Sequence, residues 1–476
     1  MRSRPFRTLI AVSAAAVLTA ALAVSQSAAA GLPRANDPSN HPVPMTRLSV
    51  NTNTLYSLRW DEMGPGNRPY PWLIDQLRRD LNLAGRPRVP LSRVLESPNH
   101  LARSDKAGCP EAKNPGGALG SPHPVLTDRW ICFNQEDSTS PDWYPQGVSG
   151  TWDSVSGGSV DGVRAFAVGW YRRSNTGNTQ EERRRSVASR VSFVDEAPTG
   201  ASAHRYQNVL LGLPRYQNGR VTFDSVPTHA GGLVWYHQYL LVADDSRNFG
   251  FNGILVFDMR DLLDLRASTR VADVSVPAYR NRPLGLHNGW FYSKGYRFLL
   301  PLRGIWRPSV GPLTTPQKCL AGDLHYPPCY TYAGLDRSTS PPSFLTGEWC
   351  TSSACGTGRV ARFPLMPDTA SCARGCLRTS DGTARPTEVY SQPVRYAQGG
   401  VSWKGTYQFT TSHGGAAGRF VTRPGATTVA RHYAGTGVQD LYWNRGTSTP
   451  MLWSVTEFPG TAKIPLGRRV LYGVRP

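Results

Sequence analysis

The sequence predicts an all-β protein: a β-propeller of six blades, with five as the open alternative, behind an irregular N-terminal extension that carries one short helix. Three observations support this prediction. Short β-branched and aromatic runs alternate with Gly, Pro, Asn and Asp turns from about residue 142 to the C-terminus. A glycine–aromatic unit recurs along the same region. No helical periodicity persists within it.

The first 30 residues have the layout of a cleavable secretory signal. Arginines within residues 2–7 give a positive start, an apolar run covers 9–24, and residues 28–30 are alanines that match a cleavage site. An uncleaved membrane anchor is the alternative, but the apolar run is short for a span. The sequence therefore predicts a secreted, extracellular protein with no membrane span after cleavage.

Residues 31–140 are predicted to form the extension, mostly loop, because they are rich in Pro, Asn and Arg. One helix is expected there, starting at Pro71 and ending before Gly85. Its apolar residues recur at i, i+4 spacing at Leu73, Leu77 and Leu81. The propeller domain is predicted to cover residues 141–476.

The glycine–aromatic unit is clearest at 231–235 (Gly-Gly-Leu-Val-Trp) and 399–403 (Gly-Gly-Val-Ser-Trp). Copies start near residues 147, 232, 289, 334, 400 and 440. This spacing fits blades of roughly 40–50 residues with insertions. Glycine would let the innermost strands approach one another around the axis. Six blades are predicted, or five if the weak copy near Gly334 belongs to its neighbour.

Three phrases carry a resemblance: His-Ala-Gly-Gly-Leu-Val-Trp at 229–235, Val-Phe-Asp at 256–258 and Tyr-Ala-Gly-Leu-Asp-Arg at 332–337. The pattern of these motifs resembles YncE- or lactonase-like secreted propellers. It is most similar to a group of secreted β-propeller-like proteins of high-GC bacteria. The resemblance implies the fold over about residues 140–476. It brings no catalytic signature, so no functional residue is carried over from it.

The chain is strongly basic, with 53 Lys and Arg against 33 Asp and Glu and a net charge of +20. Such a charge attracts anionic partners, here an anionic cell-wall polymer or a polysaccharide. The alternative is a basic exoprotein with no specific anion. No compact Lys/Arg stripe interleaved with aromatics is present, so no specific nucleic-acid partner is predicted. The protein is expected to be a monomer.

All eight cysteines follow the signal, and an even number in an exported chain predicts disulfides. A metal site is the alternative, but no C-x-x-C occurs. The spacing suggests four local pairs: Cys109–Cys132, Cys319–Cys329, Cys350–Cys355 and Cys372–Cys376.

Polar residues recur where first strands begin and second strands end, two places on the same side of an antiparallel meander. In a propeller this side surrounds the channel mouth. The predicted ligand-binding residues at first-strand starts are Gln146, His229, His287, Gln398 and Gln439. At second-strand ends stand Asp244, Asp245, Glu348, His413 and Glu457.

Three interpretations of this rim stay open. It could recognise a ligand without chemistry, or its residues could only cap strands and hold turns. In the third, His229, His287 and Glu348 are candidate catalytic groups of a metal-assisted hydrolase or lyase. The candidate ligands of a Ca²⁺ or Zn²⁺ ion are then His229, His287, Asp244 and Glu457.

Two further features could serve a ligand. The Arg-rich insertion 172–185 is either a solvated loop or a lid over the rim. Four out-of-register tryptophans could line a sugar-binding cleft: Trp143, Trp152, Trp306 and Trp349. The chain lacks G-x-S-x-G, H-E-x-x-H, Walker A and G-x-G-x-x-G motifs. A binder of an anionic or glycan ligand is favoured, with the metal-assisted hydrolase or lyase as the alternative.

Overall fold

Strands dominate the computed structural model of the chain. It describes residues 42–48, 55–104, 129–172, 188–196, 203–245, 251–310, 319–351, 355–413, 416–446, 450–459 and 469–476, and the structural statements here concern these residues. The signal segment, Cys109 and residues 173–185 of the predicted lid lie outside them. No helix in the described ranges is long and apolar enough to cross a membrane.

The N-terminal part consists of short elements. In chain order they are β1 Leu58–Asp61, β2 Met63–Gly64, β3 Arg68–Pro69, α1 Tyr70–Asp80, α2 Leu91–Leu95, β4 His100–Ser104, β5 Arg129–Cys132 and α3 Gln135–Thr139. The predicted helix is α1, which buries Leu73, Ile74 and Leu77. The helix ends at Asp80, and Asn82 follows with a positive φ of 56°. The backbone N–H groups of Asn82 and Leu83 donate to carbonyl oxygens of the last turn, so the chain leaves the helix before it reaches Gly85.

Blade 1 follows α3. Its elements are β6 Trp143–Gly150, α4 Thr151–Ser154, β7 Ala165–Arg172, β8 Ala188–Asp195, β9 Ala203–Gln217 and β10 Arg220–Ser225. The strands β6 to β9 pair antiparallel in chain order, and β10 forms a hairpin with β9.

Blade 2 contains a long insertion before its outermost strand. Its strands are β11 Gly232–Tyr236, β12 Tyr239–Asp244, β13 Gly253–Asp258, β14 Leu263–Asp264, β15 Gly285–His287, β16 Trp290–Tyr292 and β17 Phe298–Pro308. Three 3₁₀ turns lie in the same region, at Met259–Asp261, Leu265–Ala267 and Pro277–Asn281. The blade itself is β11, β12, β13 and β17, and β15 pairs only with β16.

The remaining blades are regular. Blade 3 comprises β18 Tyr332–Asp336, β19 Ser343–Gly347, β20 Arg359–Pro364, the small strands β21 Thr379–Ser380 and β22 Thr383–Ala384, and β23 Glu388–Ser391. Blade 4 is β24 Ala397–Trp403, β25 Thr406–His413, β26 Ala416–Thr422 and β27 Ala430–Tyr433. Blade 5 has β28 Val438–Asn444, β29 Met451–Thr456 and β30 Val470–Val474.

The five first strands form a closed ring. In the described part of the chain β6 contacts β11, β11 contacts β18, β18 contacts β24, β24 contacts β28, and β28 returns to β6. Because β5 pairs with β30, the N-terminal extension supplies the fourth strand of blade 5. The ring is thereby closed by both ends of the chain, which removes a free sheet edge.

The propeller is confirmed, and its described blades number five, the second of the two counts that the sequence left open. The copy near Gly334 does begin a blade, β18. The copy near residue 289 instead forms the hairpin β15–β16 in the insertion of blade 2, which corrects its interpretation as a blade start.

The glycines have the role that the sequence predicts for them. A Cβ added to Gly232 would lie 1.9 Å from the backbone nitrogen of Ala333 in the next blade. One added to Gly334 would lie 2.1 Å from the carbonyl oxygen of Gly400. Both distances are far below any van der Waals contact, so the innermost strands pack backbone against backbone at the axis.

Three of the predicted disulfides are present: Cys319–Cys329, Cys350–Cys355 and Cys372–Cys376. Cys132 is also disulfide-bonded. Its predicted partner, Cys109, lies outside the described residues.

Candidate functional site

The axis of the propeller is filled rather than open at the level of the glycines. Asp440 of blade 5 occupies it, and its Oδ2 accepts hydrogen bonds from Leu233 N (2.9 Å) and Val148 N (3.2 Å) of two other blades. The carboxyl is fully buried, and burial raises its pKa well above the usual range. Asp440 therefore links three blades through these two hydrogen bonds.

Asp440→Asn should leave stability nearly unchanged, because an amide oxygen can accept the same two hydrogen bonds. Asp440→Ala should cost about 2 kcal/mol or more, since it leaves two buried N–H groups without an acceptor. Urea denaturation of both variants measures this difference. A large loss in the asparagine variant would show that the native carboxyl is ionised.

The predicted glutamines lie beside this axis. Each sits at an irregularity in the pairing of a first strand, in β6, β24 and β28. Gln146 and Gln439 are buried, and Gln398 is partly exposed. Gln439 Nε2 donates to Glu457 Oε2 at 3.1 Å.

Four side chains from three blades meet on the predicted rim. Glu457 Oε1 accepts from the Tyr171 hydroxyl at 3.2 Å, and the Tyr171 ring packs 4.4 Å from the imidazole of His229. Together with Gln439, the structure thus brings three predicted rim residues into one cluster through Tyr171, which the sequence analysis did not single out. Gln439 and Glu457 are buried, whereas Tyr171 and His229 are partly exposed.

Two predicted carboxylates hold the local fold, as the strand-capping interpretation expects. Asp244 Oδ1 accepts from the Thr228 hydroxyl at 2.7 Å and from His229 N at 3.3 Å. Glu348 is fully buried and forms an ion pair with Arg359. Neither carboxylate faces an open mouth.

The two histidines predicted to act together lie in different places. His229 belongs to the rim cluster. His287 lies on the hairpin β15–β16, where its Nε2 is 2.8 Å from Leu284 O and its ring packs near Tyr292. The hairpin packs against β10 and not against the inner strands. Leu286 N donates a hydrogen bond to the Thr222 hydroxyl of β10. His229 and His287 therefore belong to different local groups of side chains, and a joint role for them stays a prediction.

The other rim candidates do not complete a metal site. His413 stacks on Tyr396 with ring centroids 4.1 Å apart, and Asp245 follows β12. Across the described ranges, no group of three or more His, Cys, Asp or Glu side chains is arranged to hold a metal ion. The Ca²⁺ or Zn²⁺ ion stays a prediction, without a ligand set in these ranges.

A lateral cleft of about 1110 Å³ lies beside blade 1, away from the axis. Four of the described parts of the chain line it: residues 96–100 before and at β4, the α3 region at 136–143, strands of blade 1, and the insertion of blade 2 at 266–297. The cleft is assembled from segments that lie between residues 96 and 297 of the chain.

A polar network forms the buried side of the cleft. Arg190 Nη2 donates to Asp137 Oδ1 at 2.5 Å, and the Tyr206 hydroxyl donates to Asp137 Oδ2 at 2.8 Å. Burial would raise the pKa of Asp137, but the Arg190 charge and these hydrogen bonds outweigh it and hold the pKa below the usual range. Asp137 is thus an anion that fixes Arg190 in place.

His100 stands at the edge of this network. Its Nδ1 lies 2.8 Å from the Asn134 side-chain nitrogen, which donates to it, and its ring stacks on Tyr206. Burial lowers the pKa of His100, and Asp137 offsets this only in part. His100 is therefore neutral at neutral pH, with the proton on Nε2.

The opposite wall comes from the turn Ser293–Tyr296. Lys294 and Gly295 both have positive φ (54° and 85°), and Tyr296 N bonds to Ser293 O, as in a type I′ turn. The turn places Lys294 and Tyr296 on the cleft. Burial lowers the pKa of Lys294, and the neighbouring Arg172 charge lowers it further. Arg172 itself pairs with Asp142 at 2.9 Å.

Of the four tryptophans predicted to line a sugar-binding cleft, Trp143 does line this one. The Arg190 guanidinium lies over its ring at 4.3 Å. The others are elsewhere: Trp152 lies in α4 under the Arg164 guanidinium, Trp306 is buried against Trp60, and Trp349 packs near Tyr396.

Comparisons with known proteins give no assignment. No family model matches the chain, and no curated protein matches it. Solved structures with partial similarity include a GH43_1 enzyme from Xanthomonas citri complexed with xylose (9% identity, 71% of this chain and 90% of that chain, TM-score 0.27). Another is the PQQ-bound aldose sugar dehydrogenase from Streptomyces coelicolor (12%, 73% and 89%, TM-score 0.23).

A third is a variant of the Synechocystis apocarotenoid oxygenase (10% identity, 71% of this chain and 69% of that chain, TM-score 0.27). At these TM-scores the similarities carry no argument about the site or the activity of this chain. The interpretation of the cleft therefore rests on its own residues.

Proposed function

We propose that this protein is exported and binds an acidic polysaccharide in the lateral cleft. The observation that carries the proposal is the composition of the cleft wall. In the described part of the chain, six basic side chains line the cleft: Arg172, Arg190, Arg266, Arg280, Lys294 and Arg297. They stand beside the rings of Trp143 and Tyr296 and several amide side chains.

The basic side chains favour a ligand that carries carboxylates. A guanidinium group can donate two parallel hydrogen bonds to the two oxygens of one carboxylate. Lys294 is held near Arg172, and the two charges repel each other. An anionic group between them would remove this repulsion, so the free cleft already favours a negatively charged ligand.

The remaining lining favours a sugar over a bare phosphate polymer. Asn99, Gln207 and Asn208 offer both donors and acceptors, and Glu96 and Glu136 offer acceptors only. Sugar hydroxyls can pair with all of these groups. The aromatic rings offer apolar faces to the C–H surface of a sugar ring.

Export supports a glycan outside the cell as the ligand. The signal-like N-terminus predicts secretion, and the three disulfides suit an oxidising compartment. An anionic cell-wall polymer or a free acidic polysaccharide would both be met there. A monomer with a single cleft is sufficient for this binding.

A hydrolase or lyase acting on the bound glycan is the second candidate. The observation that favours it is the neutral imidazole of His100 on the cleft, with Nε2 left to exchange a proton. Incubation with an acidic polysaccharide, followed by measurement of new reducing ends and of unsaturated products, tests this activity. If His100→Gln loses this activity but still binds the polysaccharide, the protein is an enzyme. If the native protein forms no product, the protein is a binder without catalytic activity.

Lys294→Gln should weaken the binding of an acidic oligosaccharide about tenfold, the effect of losing one charged contact. In the native protein, binding should weaken as salt screens the cleft. Binding should also weaken as the pH rises. Because the pKa of Lys294 is lowered, this side chain loses its positive charge at a pH below the ordinary lysine pKa of 10.5. The glutamine variant should lack this pH dependence.

Titration calorimetry with an oligogalacturonate and a neutral cello-oligosaccharide measures these effects. Arg385→Gln is the matched control, since Arg385 is partly exposed, pairs with Asp381 and lies outside the cleft. Equal binding of the neutral sugar, or binding of polyphosphate in its place, would contradict the proposal.

A further inference from the structure

The insertion of blade 2 carries an aromatic surface next to the cleft. The hairpin β15–β16 turns at Asn288 and Gly289, both with positive φ (51° and 82°). Its two strands pair His287 with Trp290, and cross-strand partners share a face. Trp290 is 49% exposed, and so it leaves half of a large apolar ring in water.

The other face of the hairpin fixes it to the protein. Phe291 is 1% exposed and stacks parallel to Phe223 with ring centroids 6.0 Å apart. Leu286 N donates to the Thr222 hydroxyl at 2.7 Å. On the far side of β16, Phe291 exchanges backbone hydrogen bonds with residues 270 and 272. Trp290 is therefore presented from a rigid support.

More rings extend the exposed face of the hairpin. Tyr292 packs edge-on against Tyr279 at 5.6 Å, and the ring of His287 lies 6.3 Å from Tyr292. We call this set, Tyr279, His287, Trp290 and Tyr292, the aromatic platform. Such a row offers flat apolar faces with polar edges.

The platform is continuous with the cleft and shares its charge. Segment 277–297 contains four Lys or Arg residues and no Asp or Glu. Its Arg280 lines the cleft, and a Cβ on Gly295 would lie 3.2 Å from the Arg280 side chain. Leu284, whose carbonyl meets His287, also lines the cleft. One basic, aromatic surface therefore runs from the cleft to Trp290.

We infer that the aromatic platform is a second subsite, on which an acidic polysaccharide chain continues after it leaves the cleft, with sugar rings stacked on Trp290. The inference rests on the proposed function and names its ligand class as a polymer. A small acidic sugar would fill the cleft alone and would leave the exposed indole unused.

The test compares a short and a long oligogalacturonate, a tetrasaccharide and a chain several times its length, by titration calorimetry on the full protein. The native protein should bind the longer chain more tightly. Trp290→Ala should weaken binding of the long oligosaccharide about tenfold and leave binding of the short one unchanged. Trp290→Phe should recover part of the loss, since it keeps an aromatic face.

Trp72→Ala is the control, because Trp72 is also exposed (37%) and has Arg68 over its ring, but it lies on α1 outside the insertion. Equal effects of Trp290→Ala on both lengths, no effect on either, or the same loss in Trp72→Ala would overturn the inference. So would binding of a single-stranded oligonucleotide that depends on Trp290 in place of glycan binding. If the native protein binds neither length, the proposed function itself fails.

Discussion

Glu348→Ala should lower the free energy of unfolding by about 3–5 kcal/mol, the size expected when one partner of a buried ion pair is removed. Glu348 is fully buried and Arg359 is 2% exposed. Arg359 donates to both carboxylate oxygens, from Nη2 at 2.6 Å and from Nε at 2.7 Å. Without the carboxylate, the guanidinium stays in the interior with no counter-charge.

Glu348 also organises the loop before blade 3. Its oxygens accept from Gly322 N at 2.9 Å, Cys329 N at 3.0 Å and Arg359 N at 2.9 Å. These backbone groups lose their acceptor in the alanine variant, whereas Glu348→Gln keeps one acceptor oxygen and should lose less. From the sequence, Glu348 is a candidate catalytic group. The observed hydrogen bonds and ion pair instead indicate a structural role for it.

Urea denaturation followed by tryptophan fluorescence measures the loss. Asp381→Asn is the control, because Asp381 pairs with Arg385 on the surface and asparagine tolerates the positive φ (56°) of this position, so loss of the charge should not shift the midpoint. If Glu348→Ala keeps native stability and instead abolishes turnover of a substrate, Glu348 has a catalytic role and the structural assignment fails.

Gly232→Ala should destabilise the propeller by about 3 kcal/mol or more, at the upper end of overpacking effects. The added Cβ would lie 1.9 Å from Ala333 N and 2.4 Å from Tyr332 C, which are backbone atoms of β18. No side-chain rotation relieves this contact, so blades 2 and 3 must move apart. Such a movement would also strain the hydrogen bond between Leu233 N and Asp440.

Gly169→Ala is the matched control, a strand glycine whose Cβ would meet its nearest atoms at 3.7 Å, an ordinary contact. It should retain native stability in the same urea titration and the same cooperative transition. Equal stability of the two alanine variants would mean that the innermost strands are not packed backbone to backbone, and the closed axis would have to be abandoned.

The features that the sequence predicts well are local ones. Helix α1 follows from leucines at i, i+4 spacing, because a helix buries one face whatever lies opposite it. The three observed disulfides join cysteines at most 10 residues apart, so chain proximity alone selects the partner. The glycine–aromatic unit marks five true first strands, because crowding at the axis acts on each copy in the same way.

The site was harder to predict, because the rim argument assumed an open channel. The glycines that reveal the blades also let their first strands close on the axis, so Gln146, Gln439 and Asp440 are buried. The cluster of His229, Glu457 and Gln439 does form on the rim. Its link is Tyr171, which no pattern distinguished from the many core tyrosines.

The cleft residues Asp137, Arg190 and Lys294 escaped the sequence analysis for a related reason. Each comes from a different part of the chain, and none belongs to the repeat. One signal was available: the segment 277–297 is rich in aromatic and basic residues and has no acidic one. The same segment also matches the repeat near residue 289, because Trp290 in a hairpin resembles the tryptophan of a blade, and it was therefore predicted as a blade start.

The sequence by itself determined the all-β class, the repeated inner strand, the helix and the local disulfides, because each depends on residues close together in the chain. Only the tertiary structure decided the five blades, the closure of blade 5 by β5, and the lateral cleft. These depend on which distant segments pair and pack, and hydrogen bonding between strands leaves no trace in the sequence of either strand alone.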